Sequence, residues 1–359
     1  MKRWLVTGGL GFIGSNFIKH MLEVDPEVYI VNFDAETYAG NMDNMNDIPD
    51  IYRYKLVLGN IINAIQVADV IRENKITTIV HFAAETHVDR SIHDSEVFMR
   101  TNIMGTYTLL EQARLYWGEN NFYGCRFHHV STDEVYGSLS PSEAPWNEDS
   151  PYKPNSPYAA SKAASDHLVR SYGHTYKLPF TISNCSNNYG PNQHPEKLIP
   201  FMIMNALAGK MLPLYGDGEQ IRDWLYVKDH CEAIRLILAK GKTGETYNVG
   251  GSQMMNVKLV GMLCGVLDEL VVNPVHHPHE NAIYFVEDRA GHDRRYAINS
   301  DKIRQLGWEP KETLRVGLVE TVKWYLDNPK WLANIRNKPT YEQWVKLNYA
   351  NRRTECVES

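Results

Sequence analysis

The sequence has few cysteines, and none of them lies in a pattern typical of metal binding or disulfide frameworks. The five cysteines form no CxxC pair, and their number is odd: Cys125, Cys185, Cys231, Cys264 and Cys356. Structural zinc sites typically use closely spaced cysteine pairs, and disulfide frameworks use an even number of cysteines. We therefore expect no metal site, no disulfide bonds and a reducing, cytoplasmic environment.

Basic clusters and long apolar stretches are also missing. The net charge is −6 without a basic block, which argues against nucleic-acid binding. No stretch is apolar enough to span a membrane, and the apolar run behind Met1–Arg3 breaks at Thr7-Gly8, too early for a secretory signal. We expect neither a nucleic-acid partner nor a membrane. The 359 residues, 43% of them hydrophobic, suffice for a large core and a smaller second lobe.

A glycine-rich turn near the start of the chain is the most informative feature that is present. In WLVTGGLGFIG, an apolar run is followed by four glycines and then by a helical pattern: Gly8, Gly9, Gly11 and Gly14. A strand that turns through glycines into a helix directs free backbone N–H groups and the helix dipole at one point, which suits a pyrophosphate. A second apolar run ends in Asp34, 20 positions past Gly14, where a ribose-binding carboxylate belongs. The pattern predicts a dinucleotide-binding βαβ unit rather than an ordinary glycine turn.

Short apolar runs alternate with helical patterns over the first 130 residues or so. The runs are Trp4–Val6, Tyr29–Phe33, Tyr54–Leu58, Thr78–Phe82 and Arg126–Val130. This alternation predicts an α/β fold with a doubly wound parallel sheet, whose ligands bind at the carboxyl ends of the strands. Asn60 lies at one such end and fits either a bond to adenine or an ordinary turn. Ala83 and Ala84 lie at another and fit either close approach of a cofactor or helix packing.

Beyond about residue 180 the chain becomes richer in proline, glycine and polar loops. We expect a cofactor-binding domain over residues 1–180, with later strands returning to its sheet, and a smaller substrate-binding lobe over residues 181–332. Residues 333–359 form a C-terminal extension with no predicted catalytic role, either a surface helix or an ordered tail. Two long predicted helices, Ser95–Tyr116 and Tyr158–Tyr176, carry apolar faces that fit either core packing or an interface with a second copy of the chain.

The stretch YAASK places Tyr158 and Lys162 four residues apart, on one face of a predicted helix. A lysine ammonium near a phenol stabilises the phenolate and lowers its pKa. The tyrosine then takes a proton from an alcohol while a hydride leaves for a nicotinamide. An isolated YxxxK is more often a solvated helix face, but the glycine turn and Ser131-Thr132 favour the catalytic interpretation.

Several longer motifs carry a resemblance to a known family. The chain from residue 3 to about 332 resembles the dTDP-glucose 4,6-dehydratases, within the extended short-chain dehydrogenase/reductase superfamily. The motifs include TYAGN (Thr37–Asn41), HFAAETHVDRSI (His81–Ile92), STDEVYGSL (Ser131–Leu139), NCSNNYGP (Asn184–Pro191), PEKLIP (Pro195–Pro200) and QIRDWLYVKDH (Gln220–His230). The resemblance implies a Rossmann-like sheet, bound NAD, a nucleotide-diphosphate hexose as substrate and a homodimer.

The resemblance also assigns roles around the Asp133-Glu134 pair. In this family C4 of the hexose is oxidised, a base removes the C5 proton, an acid protonates the departing C6 hydroxyl, and hydride returns to C6. The resemblance implies that Glu134 is the base, Asp133 the acid, Tyr158 with Lys162 the oxidation pair, and Thr132 the ligand of the C4 oxygen. Adjacent carboxylates tend to split their pKa values, which suits one acid and one base.

Other positions match cofactor and substrate contacts of the family one by one. The expected NAD contacts are Gly8, Gly11, Phe12, Ile13, Gly14, Asp34, Ala35, Thr37, Asn60, Ile61, Phe82, Ala83, Ala84, Thr101, Tyr158, Lys162 and Asn188. The expected substrate contacts are Thr86, Thr132, Asn187, Glu196, Lys197, Arg222, Asn256, Arg289 and His292. Arg222 suits the diphosphate best, because a guanidinium binds phosphate oxygens in bidentate fashion.

Some positions depart from the family pattern. Asp34 is followed by Ala35-Glu36 where lysine is usual, and Asn60 stands where aspartate is usual, so both changes touch the NAD side. Asn192–His194 and Ala290 differ on the nucleotide side, which leaves a UDP-, GDP- or CDP-sugar as alternative substrates.

Two other functions compete with the dehydratase. A nucleotide-sugar 4-epimerase or decarboxylase does not need the Asp133-Glu134 pair. A catalytically silent NAD-binding protein does not need the intact catalytic set.

Overall fold

The computed structural model describes residues 2–272, 274–288, 292–346 and 348. In chain order its strands are β1 (Lys2–Thr7), β2 (Val28–Asp34), β3 (Tyr54–Leu58), β4 (Thr78–His81), β5 (Arg126–Thr132), β6 (Phe180–Cys185), β7 (Asn187–Tyr189), β8 (Leu212–Tyr215), β9 (Ile221–Tyr226), β10 (Thr246–Val249), β11 (Ser252–Met255) and β12 (Ile283–Val286). Seven of them form one sheet, in the order β10-β6-β5-β4-β1-β2-β3. Every neighbouring pair in this sheet is parallel.

The helices alternate with the strands as the sequence predicts. They are α1 (Phe12–Val24), α2 (Ala64–Glu73), α3 (Val88–His93), α4 (Ser95–Phe98), α5 (Thr106–Gly118), α6 (Pro157–Tyr176), α7 (Leu198–Leu207), α8 (Val227–Lys240), α9 (Asn256–Leu270), α10 (Asp301–Arg304), α11 (Leu314–Asp327), α12 (Pro329–Arg336) and α13 (Pro339–Val345). None of the helices in the described ranges is long and apolar enough to cross a membrane.

Alternate residues of β1 pack on opposite faces of the central sheet. Trp4 and Val6 join a core with residues of α1 and α8, whereas Leu5 joins a core with residues of α2, α5 and α6. A strand buried on both faces reads as a continuous apolar run and needs helices on each side. The expected α/β fold with a Rossmann-like doubly wound sheet is therefore confirmed.

A smaller lobe is built from the later chain around two short sheets. One sheet has the order β11-β9-β7 and the other pairs β12 with β8. Their residues share a core with α7, α9 and α11. Because β10 returns to the central sheet between pieces of this lobe, the two parts are interwoven along the chain. The proposed division into residues 1–180, 181–332 and 333–359 stays a prediction.

The chain from Pro329 onward, which includes the C-terminal extension, is more than a polar tail over its described residues. Trp331 of α12 and Trp344 of α13 are buried in the core of the smaller lobe. The indole nitrogen of Trp331 donates a hydrogen bond of 2.7 Å to the side-chain oxygen of Asn44, in the cofactor-binding half. The aromatic residues that lacked a predicted role therefore pack the lobe and join it to the rest of the molecule.

The two long predicted helices lie side by side on the central sheet. The first runs without a break from Ser95 to Gly118, with a π-helical segment at Met99–Gly105 between α4 and α5. The second is α6, which packs against α5. Met104, Tyr107 and Leu115 are exposed on the first helix, while Leu110 lies in the core. The first helix therefore has exposed apolar residues as well as buried ones.

Candidate active site

A deep cleft of about 1610 Å³, open to solvent, runs along the carboxyl edge of the central sheet. All of the predicted NAD contacts line it: Gly8, Gly11, Phe12, Ile13, Gly14, Asp34, Ala35, Thr37, Asn60, Ile61, Phe82, Ala83, Ala84, Thr101, Tyr158, Lys162 and Asn188. They come from seven stretches of the chain, which the parallel strands bring to one edge.

The glycine turn between β1 and α1 forms a cradle that side chains would fill. Gly8 has a φ of +73°, and a Cβ there would lie 2.7 Å from the backbone nitrogen of Ala83. A Cβ on Gly14 would collide with the carbonyl oxygen of Gly8. The first turn of α1 contains no acidic residue, so nothing there repels an anion. These residues fit the pyrophosphate of a dinucleotide.

Asp34 ends β2 at the other side of this cradle. Its carboxylate accepts hydrogen bonds from the backbone nitrogens of Leu10, at 2.9 Å, and Glu36, at 2.8 Å. Burial raises the pKa of the carboxyl group, and the two backbone hydrogen bonds oppose that rise. The side chain is thus fixed in the cleft wall, in a position that suits a ribose hydroxyl.

Asn60 serves its local turn while also lining the cleft. Its side-chain oxygen accepts a hydrogen bond from the backbone nitrogen of Ile62 at 3.0 Å. Asn60 therefore stabilises its turn, as one of the two interpretations predicts. Its side-chain NH₂ group remains available for the predicted hydrogen bond to adenine.

Tyr158 and Lys162 lie in the first two turns of α6, which starts sharply at Ser156 and Pro157. The hydroxyl of Ser156 accepts a hydrogen bond from the backbone nitrogen of Ala159 at 3.1 Å, and Pro157 occupies the first helical position. Both side chains are buried, and both line the cleft. This start fixes the register of α6, which places the two side chains on the face toward the sheet.

The charges of this pair differ from the simple expectation of a lowered phenol pKa. Burial, with the neighbouring Glu134, raises the pKa of Tyr158 well above its usual range, although a hydrogen bond with Thr132 lowers it. Lys162 donates a hydrogen bond of 2.8 Å to the carbonyl oxygen of Val130. Burial lowers the pKa of Lys162 to about 8, so its ammonium is charged at neutral pH. Burial of the Tyr158 phenol therefore changes its pKa more than the hydrogen bond with Thr132 does.

Thr132 ends β5, Asp133 and Glu134 follow it directly, and all three line the same cleft. Thr132 caps a short 3₁₀ helix: its hydroxyl accepts from the backbone nitrogen of Glu134 and donates to the Asp133 carboxylate, both at 3.3 Å. Asp133 is fully buried, and its Oδ2 atom has no hydrogen-bond partner among the described residues. Burial and the charge of Glu134 raise the pKa of Asp133 well above its usual range. Burial therefore favours the protonated form of this carboxyl group.

Four of the predicted substrate contacts, Thr86, Asn187, Glu196 and Lys197, also line the cleft. Glu196 is held in place by its neighbours: its carboxylate accepts from Arg90 at 3.0 Å and from the Tyr38 hydroxyl at 3.1 Å. The positive charges around it outweigh its burial and lower its pKa to about 2. Lys197 donates to the carbonyl oxygen of Thr86 at 2.9 Å.

Three other predicted substrate contacts, Arg222, Asn256 and His292, are not among the residues that line this cleft. Arg222 is buried, stacks over the Tyr296 ring at 4.4 Å and donates to the carbonyl oxygen of Asp293 at 2.8 Å. His292 contacts the Asp288 carboxylate at 2.6 Å, and Asn256 begins α9. Arg289 and Ala290 lie outside the described residues. Contact between these residues and a substrate stays a prediction.

Several residues of the cleft were not predicted as site residues. Cys185 ends β6 and Ser186 follows it, while Gln193 and His194 lie in the segment that departs from the family pattern. The rule that ligands gather at the carboxyl ends of parallel strands points to Cys185 and Ser186 once β6 is recognised. The positions of Gln193 and His194 depend on the path of a loop, which no strand end indicates.

Three comparisons with known proteins agree with this geometry. A family model described as GDP-mannose 4,6 dehydratase matches residues 5–321. The dTDP-glucose 4,6-dehydratase of Shigella flexneri is 49% identical over 361 residues, which cover 97% of this chain and 99% of that protein.

Solved structures give the same result. The dTDP-glucose 4,6-dehydratase of Bacillus anthracis in complex with NAD has a TM-score of 0.83 and 45% identity, covering 93% of this chain and 100% of that one. The enzyme of Streptomyces venezuelae with NAD and the ligand TYD bound has a TM-score of 0.84 and 45% identity, covering 93% and 99%. The chain belongs to the dTDP-glucose 4,6-dehydratase family of the extended short-chain dehydrogenase/reductase superfamily.

Proposed function

We propose that the protein is an NAD-dependent hydro-lyase that converts dTDP-glucose to dTDP-4-keto-6-deoxy-glucose, a step of deoxysugar biosynthesis. The observation that carries this proposal is the Asp133-Glu134 pair, which lines the same cleft as Tyr158 and Lys162. An epimerase on this scaffold needs the oxidation pair but no acid and base for C5 and C6. A protein that only binds NAD needs neither set, so both alternatives are disfavoured.

The glycine cradle and Asp34 would hold NAD, which accepts a hydride from C4 of the hexose and returns it to C6. Tyr158 takes the proton of the C4 hydroxyl, and the charged ammonium of Lys162 stabilises the phenolate. Thr132, whose hydroxyl bonds Tyr158, orients the C4 oxygen. These residues act on C4 alone.

Glu134 and Asp133 then remove water across C5 and C6. The C4 ketone acidifies the C5 proton, which Glu134 takes, and Asp133 gives its proton to the C6 hydroxyl as water leaves. The raised pKa of Asp133 supports its role, because a general acid must be protonated at the working pH. Glu134 returns its proton to C5 when hydride reaches C6.

The test is a panel of nucleotide-activated hexoses, namely dTDP-, UDP-, GDP- and CDP-glucose. We expect a 4-keto-6-deoxy product, which absorbs strongly in alkali, with dTDP-glucose as the preferred substrate. If another sugar nucleotide is preferred, the proposed base of the substrate is wrong, but the proposed dehydratase activity stands. If the product is an isomeric hexose, the protein is an epimerase. If no sugar nucleotide gives a product, the protein binds NAD without catalysis.

We also propose a homodimer built on α5 and α6. The exposed Met104, Tyr107 and Leu115 of the first helix support this, because exposed apolar residues on a helix that packs beside α6 suit a four-helix interface between two copies. Sedimentation at micromolar concentration is expected to show a dimer. A monomer over that range would remove the proposal.

A cytoplasmic location is proposed on the state of the cysteines. Cys125, Cys185, Cys231 and Cys264 are free, and the last three are buried. Such thiols suit a reducing compartment. Cell fractionation is expected to place the protein with cytoplasmic markers, and recovery with a periplasmic or membrane fraction would contradict this.

A further inference from the structure

Two buried ionisable side chains beneath the cleft have no part in the steps above. His129 on β5 and Asp166 on α6 both have fully buried side chains. Asp166 lies one helical turn beyond Lys162, on the same face of α6. Buried histidine and aspartate are costly unless they are paired, so their position beside the oxidation pair requires a physical reason.

One nitrogen of the imidazole lies close to both the ammonium and the carboxylate. The Nε2 atom of His129 is 3.3 Å from the Oδ1 atom of Asp166 and 3.5 Å from the Nζ atom of Lys162. A lysine and an aspartate four residues apart on a helix are well placed for a direct ion pair. Among the described side chains that pair is not formed, and Lys162 instead bonds the carbonyl oxygen of Val130.

Asp166 is also held from its other side. Its Oδ2 atom accepts a hydrogen bond of 2.7 Å from the hydroxyl of Tyr152. That hydroxyl in turn accepts from Arg170 at 2.8 Å and from Asn184 at 3.0 Å. The carboxylate is therefore fixed at a distance from Lys162 at which its charge acts without direct contact.

The charge states fit this arrangement. Burial lowers the pKa of His129 to about 4, so the imidazole is neutral at neutral pH. Burial is the larger influence on Lys162, and the charge of Asp166 opposes it by raising the lysine pKa. Other ionisable groups that act on this cluster are His81 from β4, His128 from β5, Cys185 from β6, Arg170 from α6, and Tyr136 and Tyr152.

We propose that His129 and Asp166 are positioning residues for Lys162. Asp166 keeps the buried ammonium charged, and the neutral ring of His129 prevents the ammonium from pairing with Asp166 and withdrawing from Tyr158. The two residues thus act in opposite directions on Lys162. A purely structural pair would not produce opposite effects when each member is removed.

The first test is the pH dependence of the initial oxidation, which rests on the proposed function. It is measured as the absorbance of reduced nicotinamide after rapid mixing with dTDP-glucose. In Asp166→Asn the ammonium loses its stabilising charge, so the pKa of Lys162 falls and the alkaline limb moves to lower pH by about one unit. Asp229→Asn, which removes a buried carboxylate elsewhere, is expected to leave the limb in place.

The second test uses two substitutions of His129 that differ in volume. His129→Ala opens the space between Lys162 and Asp166, so the ammonium shifts toward the carboxylate and the plateau rate falls about 100-fold. Its alkaline limb is expected to move to higher pH, because the direct pair stabilises the ammonium. His129→Phe keeps a ring in that space and is expected to retain a plateau rate close to the wild type. His128→Gln, on the same strand but bonded to Thr181 and Ser183, is the matched control.

A readout without turnover separates this inference from the proposed function. The ¹³Cε resonance of Lys162, assigned with Lys162→Met, is titrated in labelled protein, and its pKa is expected to fall in Asp166→Asn and to rise in His129→Ala. An unshifted lysine pKa in Asp166→Asn, or equal plateau losses in His129→Ala and His129→Phe, would overturn the proposal. If no sugar nucleotide reduces the nicotinamide, the proposed function fails while the resonance still decides the role of the pair.

Discussion

Two residues at the carboxyl edge of the central sheet are positioned by the backbone, whereas two residues of the substrate lobe are positioned by contacts with other side chains. At the edge, Gly8 turns the chain with a positive φ, and Asp34 is fixed by two backbone nitrogens. In the lobe, Arg222 is held over Tyr296, and Trp331 joins the lobe to Asn44. We infer that substitutions at the edge change the chemistry, while substitutions in the lobe change substrate binding or the stability of the lobe.

The largest effects are expected at the edge, from the two carboxylates. Asp133→Asn cannot donate a carboxylic proton, and Glu134→Gln cannot take the C5 proton. General acid–base contributions are typically ~100- to 10,000-fold, so both variants should lose steady-state kcat on that scale. The measurement is formation of the 4-keto product, with Asp149→Asn, an exposed acid, as the control. Retained kcat in either variant would remove that residue from the elimination.

In the lobe, the largest effect is expected from Trp331. Its ring is buried against Trp324 at 4.9 Å and Tyr325 at 5.9 Å. Trp331→Ala should lower the free energy of unfolding by about 3–5 kcal/mol, measured with urea. Tyr52→Ala, which changes an aromatic that is 91% exposed, should leave the stability almost unchanged. Equal losses in the two variants would mean that Trp331 of α12 does not secure the lobe.

A substitution of Arg222 tests through KM and kcat whether the lobe acts in substrate binding. If it binds the diphosphate, Arg222→Gln should raise KM about 10- to 100-fold with little change in kcat, because it removes binding shared by ground state and transition state. Arg294→Gln, an exposed arginine paired with Asp217 and Glu219, is the control. An unchanged KM would leave Arg222 as a structural residue that stacks on Tyr296.

The smallest expected effect concerns the choice of cofactor. Asp34 should bond the ribose and repel a 2′-phosphate, so the protein should carry NAD rather than NADP. Asp34→Asn should weaken the preference for NAD about 10-fold, measured by equilibrium binding of both dinucleotides. Glu36→Gln removes a nearby charge and should have the weaker effect. Wild-type protein that binds NADP as tightly as NAD would contradict this.

The site residues at the edge of the central sheet could be predicted from the sequence more fully than those of the substrate lobe. Residues at strand ends, such as Gly8, Asp34 and Thr132, were predictable because parallel strands bring their carboxyl ends to one edge. The pairing of Tyr158 with Lys162 followed from helical spacing. The raised pKa of Tyr158 did not, because burial depends on the packing of the whole site.

The lobe was less predictable for a physical reason. The positions of Gln193 and His194 depend on loop paths, and loops lack the periodicity that marks strands and helices. The buried role of Trp331 and Trp344 was missed because their segment reads as polar overall, although its apolar residues recur at helical spacing. Motifs shared with the family predicted Glu196 and Lys197 as site residues. The ion pair between Glu196 and Arg90 was not predicted from the sequence and is seen only in the structure.

The central claim is that oxidation at C4 and elimination across C5 and C6 belong to different residues of one cleft. Stopped-flow absorbance of reduced nicotinamide, with deuterium exchange at C5 as a second readout, tests this most directly. After addition of dTDP-glucose, Asp133→Asn and Glu134→Gln should still reduce the nicotinamide, Glu134→Gln should fail to exchange the C5 proton, and Tyr158→Phe should lose the first step. Loss of nicotinamide reduction in the carboxylate variants, with its retention in Tyr158→Phe, would contradict the account.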